Sequence, residues 1–304
     1  MNLELILAKL EFVQNEELKD VDYNSPEWKE LYEYEQSLNV PSPNNPPWNS
    51  WMALLVWLVS VVSIVVLPFL FLIPFLLMKN VNLSDQSALS DLLIKDPNAI
   101  ILNIAAIFPA HLLTLLGAWL IVTRYRQFSF FEMLGWRWGG FKFWHGFLIL
   151  VGFFIVAMVV SNFFPEQENE LTQILKSSRT ATILVAIMAT FTAPIVEEIV
   201  YRGVLYSAFQ RAFGVTAAVV SVTFLFAVIH VPQYYPSYST IILIFLLSLI
   251  LTLIRVRTKN LLPCIALHFA FNGIQSVILI AEPYLPKSPT EVQEIPNFII
   301  RLLT

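Results

Sequence analysis

Long apolar runs with few charges dominate the chain from residue 51 onward. A helix needs about 20 mostly apolar residues to cross the roughly 30 Å hydrocarbon core of a bilayer. Seven runs reach or approach this length: Trp51–Met78, Ala99–Thr123, Phe143–Phe164, Thr180–Val200, Val215–Val231, Tyr238–Leu253 and Leu261–Ala281. They lack the alternation of apolar and polar positions that is typical of a barrel strand. We therefore predict an all-α polytopic membrane protein with seven transmembrane helices.

Two further segments extend this prediction. Phe128–Trp144 mixes Phe and Trp with Arg and Lys, a composition that favours a helix lying in the membrane interface. The apolar stretch Asn297–Leu303 is typical of an eighth, C-terminal helix, which is too short to span the bilayer.

Composition narrows the class of protein. Hydrophobic residues make up 57% of the 304 positions and charged residues only 13%, whereas about one-quarter of an average soluble domain is charged. This argues against a soluble globular protein, a disordered chain or a nucleic-acid binder. The single cysteine, Cys264, excludes an internal disulfide and a cysteine-ligated zinc site.

The charge is distributed unevenly along the chain. Residues 1–48 contain ten acidic residues and three lysines, which leaves a small positive net charge on the rest. Pro41–Ser50 is rich in proline and asparagine and favours an extended linker. We predict an acidic soluble appendage at 1–48, helices 1–3 with the interfacial segment at 49–174, a core at 175–285 and a tail at 286–304.

Basic residues in short connections predict the orientation. Arg and Lys concentrate in the connections 124–142 and 255–260, where the second contains Arg255, Arg257 and Lys259. With seven helices these connections share one side, which the positive-inside tendency assigns to the cytoplasm. We expect an integral multi-pass protein of the plasma or inner membrane, with an internal membrane as the alternative.

Ionisable and amide side chains inside the predicted spans are costly and mark candidate sites. They are Glu197, Glu198, Arg202, His230, His268 and Asn272. Glu198 and Arg202 are four residues apart, so they share a helix face and can form an ion pair. If the chain turns at Gly214, Glu197 and His230 come level in an antiparallel hairpin.

This set of side chains fits water activation. A carboxylate in a low-dielectric environment can act as a general base near neutral pH. Two histidines can hold the water, or a metal that carries it, and an amide can stabilise a developing oxyanion. No serine or cysteine nucleophile is required.

Three motifs carry a resemblance to a known family. Glu197 to Arg202 fits E-E-x-x-x-R, Phe226 to His230 fits F-x-x-x-H, and His268 to Asn272 fits H-x-x-x-N. Their order and spacing resemble the CAAX-protease and bacteriocin-processing (Abi, Rce1-like) intramembrane protease family over roughly residues 175–285.

The resemblance implies an all-helical membrane endopeptidase in which Glu197 activates water. It places Glu198 and Arg202 in supporting roles and His230, His268 and Asn272 at the site. The metal requirement stays open; a zinc ion held by His230 and His268 is one option. The expected partners are the lipid bilayer and a peptide or protein substrate, either prenylated or a leader peptide, and no nucleic acid.

Other interpretations remain for the same residues. Glu198 and Arg202 can form a purely structural pair, and His230 and His268 can be satisfied packing residues. His111, in the second span, is interpreted as structural or pore-lining. At the level of function, the alternatives are a proton-coupled transporter and a catalytically idle scaffold or immunity protein.

Overall fold

The computed structural model describes residue 26, residues 40–82 and residues 84–284. These residues are almost entirely helical, and the only extended pairing among them is an isolated bridge between Ser42 and Asn45. The predicted all-α class is confirmed. The helices are α1 (Ser50–Met78), α2 (Gln86–Lys95), α3 (Pro97–Thr123), α4 (Phe130–Leu134), α5 (Phe143–Phe163), α6 (Glu170–Ser177), α7 (Arg179–Ile187), α8 (Ala193–Glu198), α9 (Tyr206–Tyr234), α10 (Tyr238–Thr258) and α11 (Leu262–Ala281).

Two π-helical segments interrupt this series. The segment π1 (Met188–Thr192) joins α7 to α8, and π2 (Ile199–Leu205) joins α8 to α9. Arg179–Tyr234 is therefore one continuous helical stretch of 56 residues. Wider turns of this kind occur frequently at functional sites.

Six described helices are long and apolar enough to cross a membrane: α1, α3, α5, the stretch Arg179–Tyr234, α10 and α11. The predicted count of seven is not confirmed, because the predicted fourth and fifth spans belong to that single stretch. The predicted eighth helix, Asn297–Leu303, lies outside the described residues, as do most of the 1–48 appendage and the whole 286–304 tail.

The long stretch changes direction at Gly214. Its φ of 83° and ψ of 168° are not helical, and glycine reaches a positive φ without the clash of a Cβ atom. About a dozen residues on either side of it, the rings of Tyr201 and Phe226 lie 5.0 Å apart. The two halves therefore pack antiparallel, which confirms the predicted hairpin.

Pro194 accounts for the first π segment. The N–H of Ala193 donates to the Met188 carbonyl, and Pro194 has no N–H to offer. The Ala189 carbonyl is thus left without a donor from the next turn of its own helix. The Asn272 side chain of α11 donates to it at 2.8 Å, which ties the last helix to the stretch that carries the glutamates.

The Pro41–Ser50 segment is part of the helical unit. The chain divides into compact units at residues 1–40 and 41–304. Trp48 is only 1% exposed, and its Nε1 donates to the Val204 carbonyl at 3.0 Å. The division falls next to the segment in which a boundary was expected, but the segment itself packs on the helices and is not a separate linker.

The predicted connection 255–260 is shorter than expected. Helix α10 continues to Thr258, and Arg255 is fully buried within it instead of lying in a loop. Hydrogen bonds from its guanidinium to Asn44 Oδ1 and the Pro43 carbonyl explain why this charge can be enclosed.

The predicted interfacial helix is also shorter. Within residues 128–144 only Phe130–Leu134 is helical before α5 begins. The chain turns at Gly139, where φ is 56° and a Cβ atom would lie 2.5 Å from the Thr258 carbonyl oxygen. The close approach of the backbone to the end of α10 therefore prevents one continuous helix here.

Candidate active site

The predicted ion pair between Glu198 and Arg202 is present. Arg202 Nη1 lies 2.8 Å from Glu198 Oε1, and both side chains are fully buried. Glu198 ends α8 and Arg202 lies in π2, so one continuous helical turn brings the two together. The hydrogen-bonded pair satisfies most of the polar groups that burial removes from water.

Helix α10 completes the surroundings of the guanidinium. Arg202 Nε donates to Thr252 Oγ1 at 3.2 Å, and Nη2 donates to the carbonyl and the hydroxyl of Ser248 at 2.9 and 2.8 Å. The sequence analysis missed both residues. Their signal was a pair of hydroxyl side chains four residues apart in an apolar span, which is typical of contacts between membrane helices.

His268 links the two glutamates. Its Nδ1 lies 2.8 Å from Glu198 Oε1, and its Nε2 lies 3.8 Å from Glu197 Oε2. One imidazole thus lies between the two carboxylates. The site therefore joins residues of α8, π2 and α11.

The two glutamates occupy different environments. The Glu198 side chain is fully buried, and one of its oxygens accepts hydrogen bonds from both Arg202 and His268. The Glu197 side chain is 24% exposed, and its closest ionisable partner is the His268 Nε2 at 3.8 Å. Glu198 is thus held in place, whereas the Glu197 carboxylate is only partly enclosed.

Phe226 connects His230 to this group. Its ring lies 4.7 Å from the Arg202 guanidinium, 4.7 Å from the His230 ring and 6.2 Å from the His268 ring, measured between centres. The Phe226 carbonyl accepts a hydrogen bond from His230 Nδ1 at 2.7 Å. Since a carbonyl can only accept, Nδ1 carries a proton in this bond.

Asn272 lies one turn of α11 beyond His268. Its Nδ2 donates to the Ala189 carbonyl, a bond that engages one of its two N–H groups. Its predicted role as an oxyanion donor thus depends on the second N–H and stays a prediction.

The residues do not form an evident metal site. Among residues 40–82 and 84–284, no group of three or more His, Cys, Asp or Glu side chains is arranged to hold a metal ion. The donor set of His230 and His268 with Glu197 does not fit a metal in this arrangement. The zinc hypothesis therefore gains no support.

An apolar groove of about 370 Å³ lies on another face of the helix that carries the glutamates. One wall of the groove consists of Ile195 and Ile199, which precede and follow Glu198 in the sequence. The remaining lining residues come from α3 and the interfacial segment: Leu115, Leu116, Trp119, Phe130, Phe131 and Trp136. The lining contains no charged residue, so the groove suits a hydrocarbon chain.

Comparison with known proteins gives one family. Residues 179–274 match the family described as type II CAAX prenyl endopeptidase Rce1-like. No curated protein and no solved structure matches the chain significantly. The matched region contains all three motifs, whereas α1 to α6 lie outside it. With six described helices that are long and apolar enough to cross a membrane, the chain is an integral multi-pass membrane protein, and its residues 179–274 are similar to the Rce1-like family of type II CAAX prenyl endopeptidases.

Proposed function

We propose that this protein is an intramembrane endopeptidase in which Glu197 activates the water that hydrolyses a peptide bond. The family match supports a protease of the CAAX type. The alternatives of a transporter and an idle scaffold gain no support from that match.

The contrast between the two glutamates carries the proposal. Neighbouring carboxylates in different environments typically perform different tasks. Glu198 is committed to Arg202 and His268, whereas Glu197 is partly exposed beside the second nitrogen of His268. The base is therefore the glutamate that has no guanidinium partner.

The proposed reaction needs only these side chains and water. The Glu197 carboxylate accepts a proton from water while the water oxygen bonds to the carbon of the peptide carbonyl. The C–N bond then breaks, and the departing amine takes the proton from Glu197. His268, fixed by Glu198, lies beside the Glu197 carboxylate, and the second N–H of Asn272 is available to the oxyanion.

The groove supports a substrate that carries a hydrocarbon chain. It lies beside the helix of the two glutamates, so a peptide whose lipid group occupies it can approach the site. We propose a prenylated peptide as the substrate and the plasma or inner membrane as the location.

Cleavage of a fluorogenic peptide by the protein in lipid nanodiscs tests the proposal. The peptide is supplied with and without a prenyl group, and wild type is compared with Glu197→Gln. General-base catalysis contributes about 10²–10⁴-fold, so we expect a loss of that size with little change in melting temperature. Glu132→Gln, which changes an exposed carboxylate of α4, is the matched control.

Equal cleavage by wild type and Glu197→Gln would remove Glu197 from the mechanism. Equal rates on the two peptides would contradict the prenylated substrate but not the peptidase.

A further inference from the structure

The entry segment (residues 43–48), which leads into α1, binds the backbone of π2 although it lies outside the matched region 179–274. Trp48 is only 1% exposed, and its Nε1 lies 3.0 Å from the Val204 carbonyl oxygen. An indole N–H can only donate and a carbonyl can only accept, so the direction of this bond is fixed. A donor that is 156 residues away in the sequence therefore reaches the segment that contains Arg202.

Side chains of α9 and α10 hold the entry segment in place. Gln210 Nε2 donates to the Asn44 carbonyl at 3.3 Å. Arg255 donates to Asn44 Oδ1 at 2.9 Å and to the Pro43 carbonyl at 2.8 Å. Trp48 thus belongs to a segment that is itself bonded to both helices, so its indole has a fixed position above π2.

A second indole donor comes from α1. Trp57 Nε1 lies 3.0 Å from the Tyr201 hydroxyl oxygen. This bond engages a side chain, which can change rotamer without any change in the helix. The bond of Trp48 engages a backbone carbonyl, whose position depends on the pairing of the helix itself. Trp48 is therefore the indole that acts on the backbone of π2.

The backbone of π2 differs from an α-helix in its pairing. It runs for seven residues, all of them buried, whereas most π-helical segments are single turns. The N–H of Tyr206 donates to the Tyr201 carbonyl, where an α-helix would pair it with Arg202. Arg255 Nε donates to the Arg202 carbonyl instead, at 3.2 Å. Side chains from other parts of the chain thus bind the carbonyls of Arg202 and Val204 and favour the wider turns.

The pairing of π2 determines how the two parts of the site face each other. Glu198 ends α8 before π2, whereas His230 belongs to α9 after it. Each residue of an α-helix turns the chain by about 100°, so a change of the pairing by one residue would rotate α9 relative to α8 by about that angle. Arg202 bonds both Glu198 and Thr252 of α10, and the two bonds cannot both survive such a rotation.

We infer that Trp48 is a positioning residue of the site, whose indole N–H holds π2 in the pairing that keeps Arg202 between Glu198 and α10. The inference rests on the proposed function for its effect on cleavage. The coupling between Trp48 and Arg202 can nevertheless be measured without any substrate.

Arginine ¹⁵N NMR of the full-length protein in lipid nanodiscs measures that coupling. Trp48 is replaced by 3-benzothienylalanine, which keeps the bicyclic shape of the indole but has sulfur in place of the N–H. We expect the Nε resonances of Arg202 and Arg255 to move, because these atoms donate to Thr252 and to the Arg202 carbonyl. The matched control is the same replacement at Trp51, which is 78% exposed in α1, and it should leave both resonances unchanged.

Cleavage of the fluorogenic peptide measures the effect on catalysis. A displacement of about 1 Å caused by a distant change can lower a rate about 10²-fold, so we expect kcat of the benzothienylalanine variant to fall about 10–100-fold. The melting temperature should change little, because the bicyclic ring still packs in the same place. Replacement of Trp48 by 5-fluorotryptophan retains the N–H and should preserve the wild-type kcat.

Unchanged Arg202 and Arg255 resonances would overturn the inference, and so would an equal kcat in the benzothienylalanine and 5-fluorotryptophan variants. If the benzothienylalanine variant does not fold, the reverse measurement decides. Thr252→Val, which removes one bond of Arg202, is expected to move the indole N–H resonance of Trp48 and to leave that of Trp51 unchanged. An unmoved Trp48 resonance contradicts the role of Trp48, whereas full activity of Glu197→Gln contradicts the proposed function, so the two failures are distinct.

Discussion

Two fully buried arginines in neighbouring parts of the fold are stabilised in different ways. Arg202 meets a carboxylate at 2.8 Å, with hydroxyl and carbonyl oxygens of α10 around it. Arg255 is hydrogen-bonded to neutral oxygens: Asn44 Oδ1 at 2.9 Å, the Pro43 carbonyl at 2.8 Å, Ser207 Oγ at 3.1 Å and the Arg202 carbonyl at 3.2 Å.

The difference follows from their places in the helices. Arg255 lies in the last turn of α10, where the partial negative charge of the helix end favours a cation. The Pro43 and Asn44 oxygens then complete its hydrogen bonds. Arg202 lies inside π2, away from any helix end, so its charge is balanced by a carboxylate.

The two arginines are also connected. Arg255 Nε donates to the backbone carbonyl of Arg202, while other atoms of the same guanidinium bind the 43–44 segment. One side chain thus links the entry segment to the backbone of the site.

Neutralising Glu198, the carboxylate that pairs with Arg202, is expected to reduce the stability of the fold most. Glu198→Gln leaves the Arg202 charge buried without a counter-ion, and breaking a buried pair in this way costs about 3–5 kcal/mol. Thermal unfolding in detergent should show a large drop in melting temperature and the loss of cleavage. Glu132→Gln should leave the melting temperature unchanged; a stable Glu198→Gln would show that hydrogen bonds alone satisfy Arg202.

Removing the Arg255 side chain is expected to reduce the stability of the fold less than Glu198→Gln does. Arg255→Met leaves neutral acceptors unpaired, which costs about 1–3 kcal/mol, and loosens residues 43–48. Limited proteolysis should then cut within this segment, while exposed Arg257→Met should resemble wild type. A loss of stability as large as that of Glu198→Gln would contradict the contrast between the two sites.

The smallest effect is expected at a single hydroxyl beside Arg202. Thr252→Val removes the acceptor of Arg202 Nε but keeps the ion pair, so we expect about 1 kcal/mol less unfolding free energy. Thr252→Ser retains the hydroxyl and should restore the wild-type value in chemical denaturation. An unfolding free energy of Thr252→Val equal to that of wild type would show that the bond from Arg202 Nε does not contribute to stability.

Much of the fold could be predicted because a lipid environment allows the backbone only a few kinds of structure. Apolar runs of the right length must be helical in lipid, and the i, i+4 spacing of Glu198 and Arg202 fixes their pairing within one helix. Gly214 also marked the hairpin. The predicted roles of Glu197, His230, His268 and Asn272 in catalysis stay predictions.

Contacts between distant parts of the chain could not be predicted in the same way. The composition of Pro41–Ser50 indicated a linker. Nothing in the sequence of this segment shows that Arg255, more than 200 residues away, binds the Pro43 carbonyl and Asn44 Oδ1. His111 likewise had no visible partner, since Thr192 is 81 residues away and the intervening helices decide whether the two meet.

The sequence by itself determined the all-α membrane class, the long apolar runs and the pairing of Glu198 with Arg202. Hydropathy and local spacing are properties of short segments, so they can be derived without coordinates. Only the tertiary structure decided that His268 lies between two glutamates, that Glu197 is the more exposed of the two and that His111 lies 3.1 Å from Thr192. These features depend on how separate helices pack, and that packing is set by side-chain contacts across long distances in the chain.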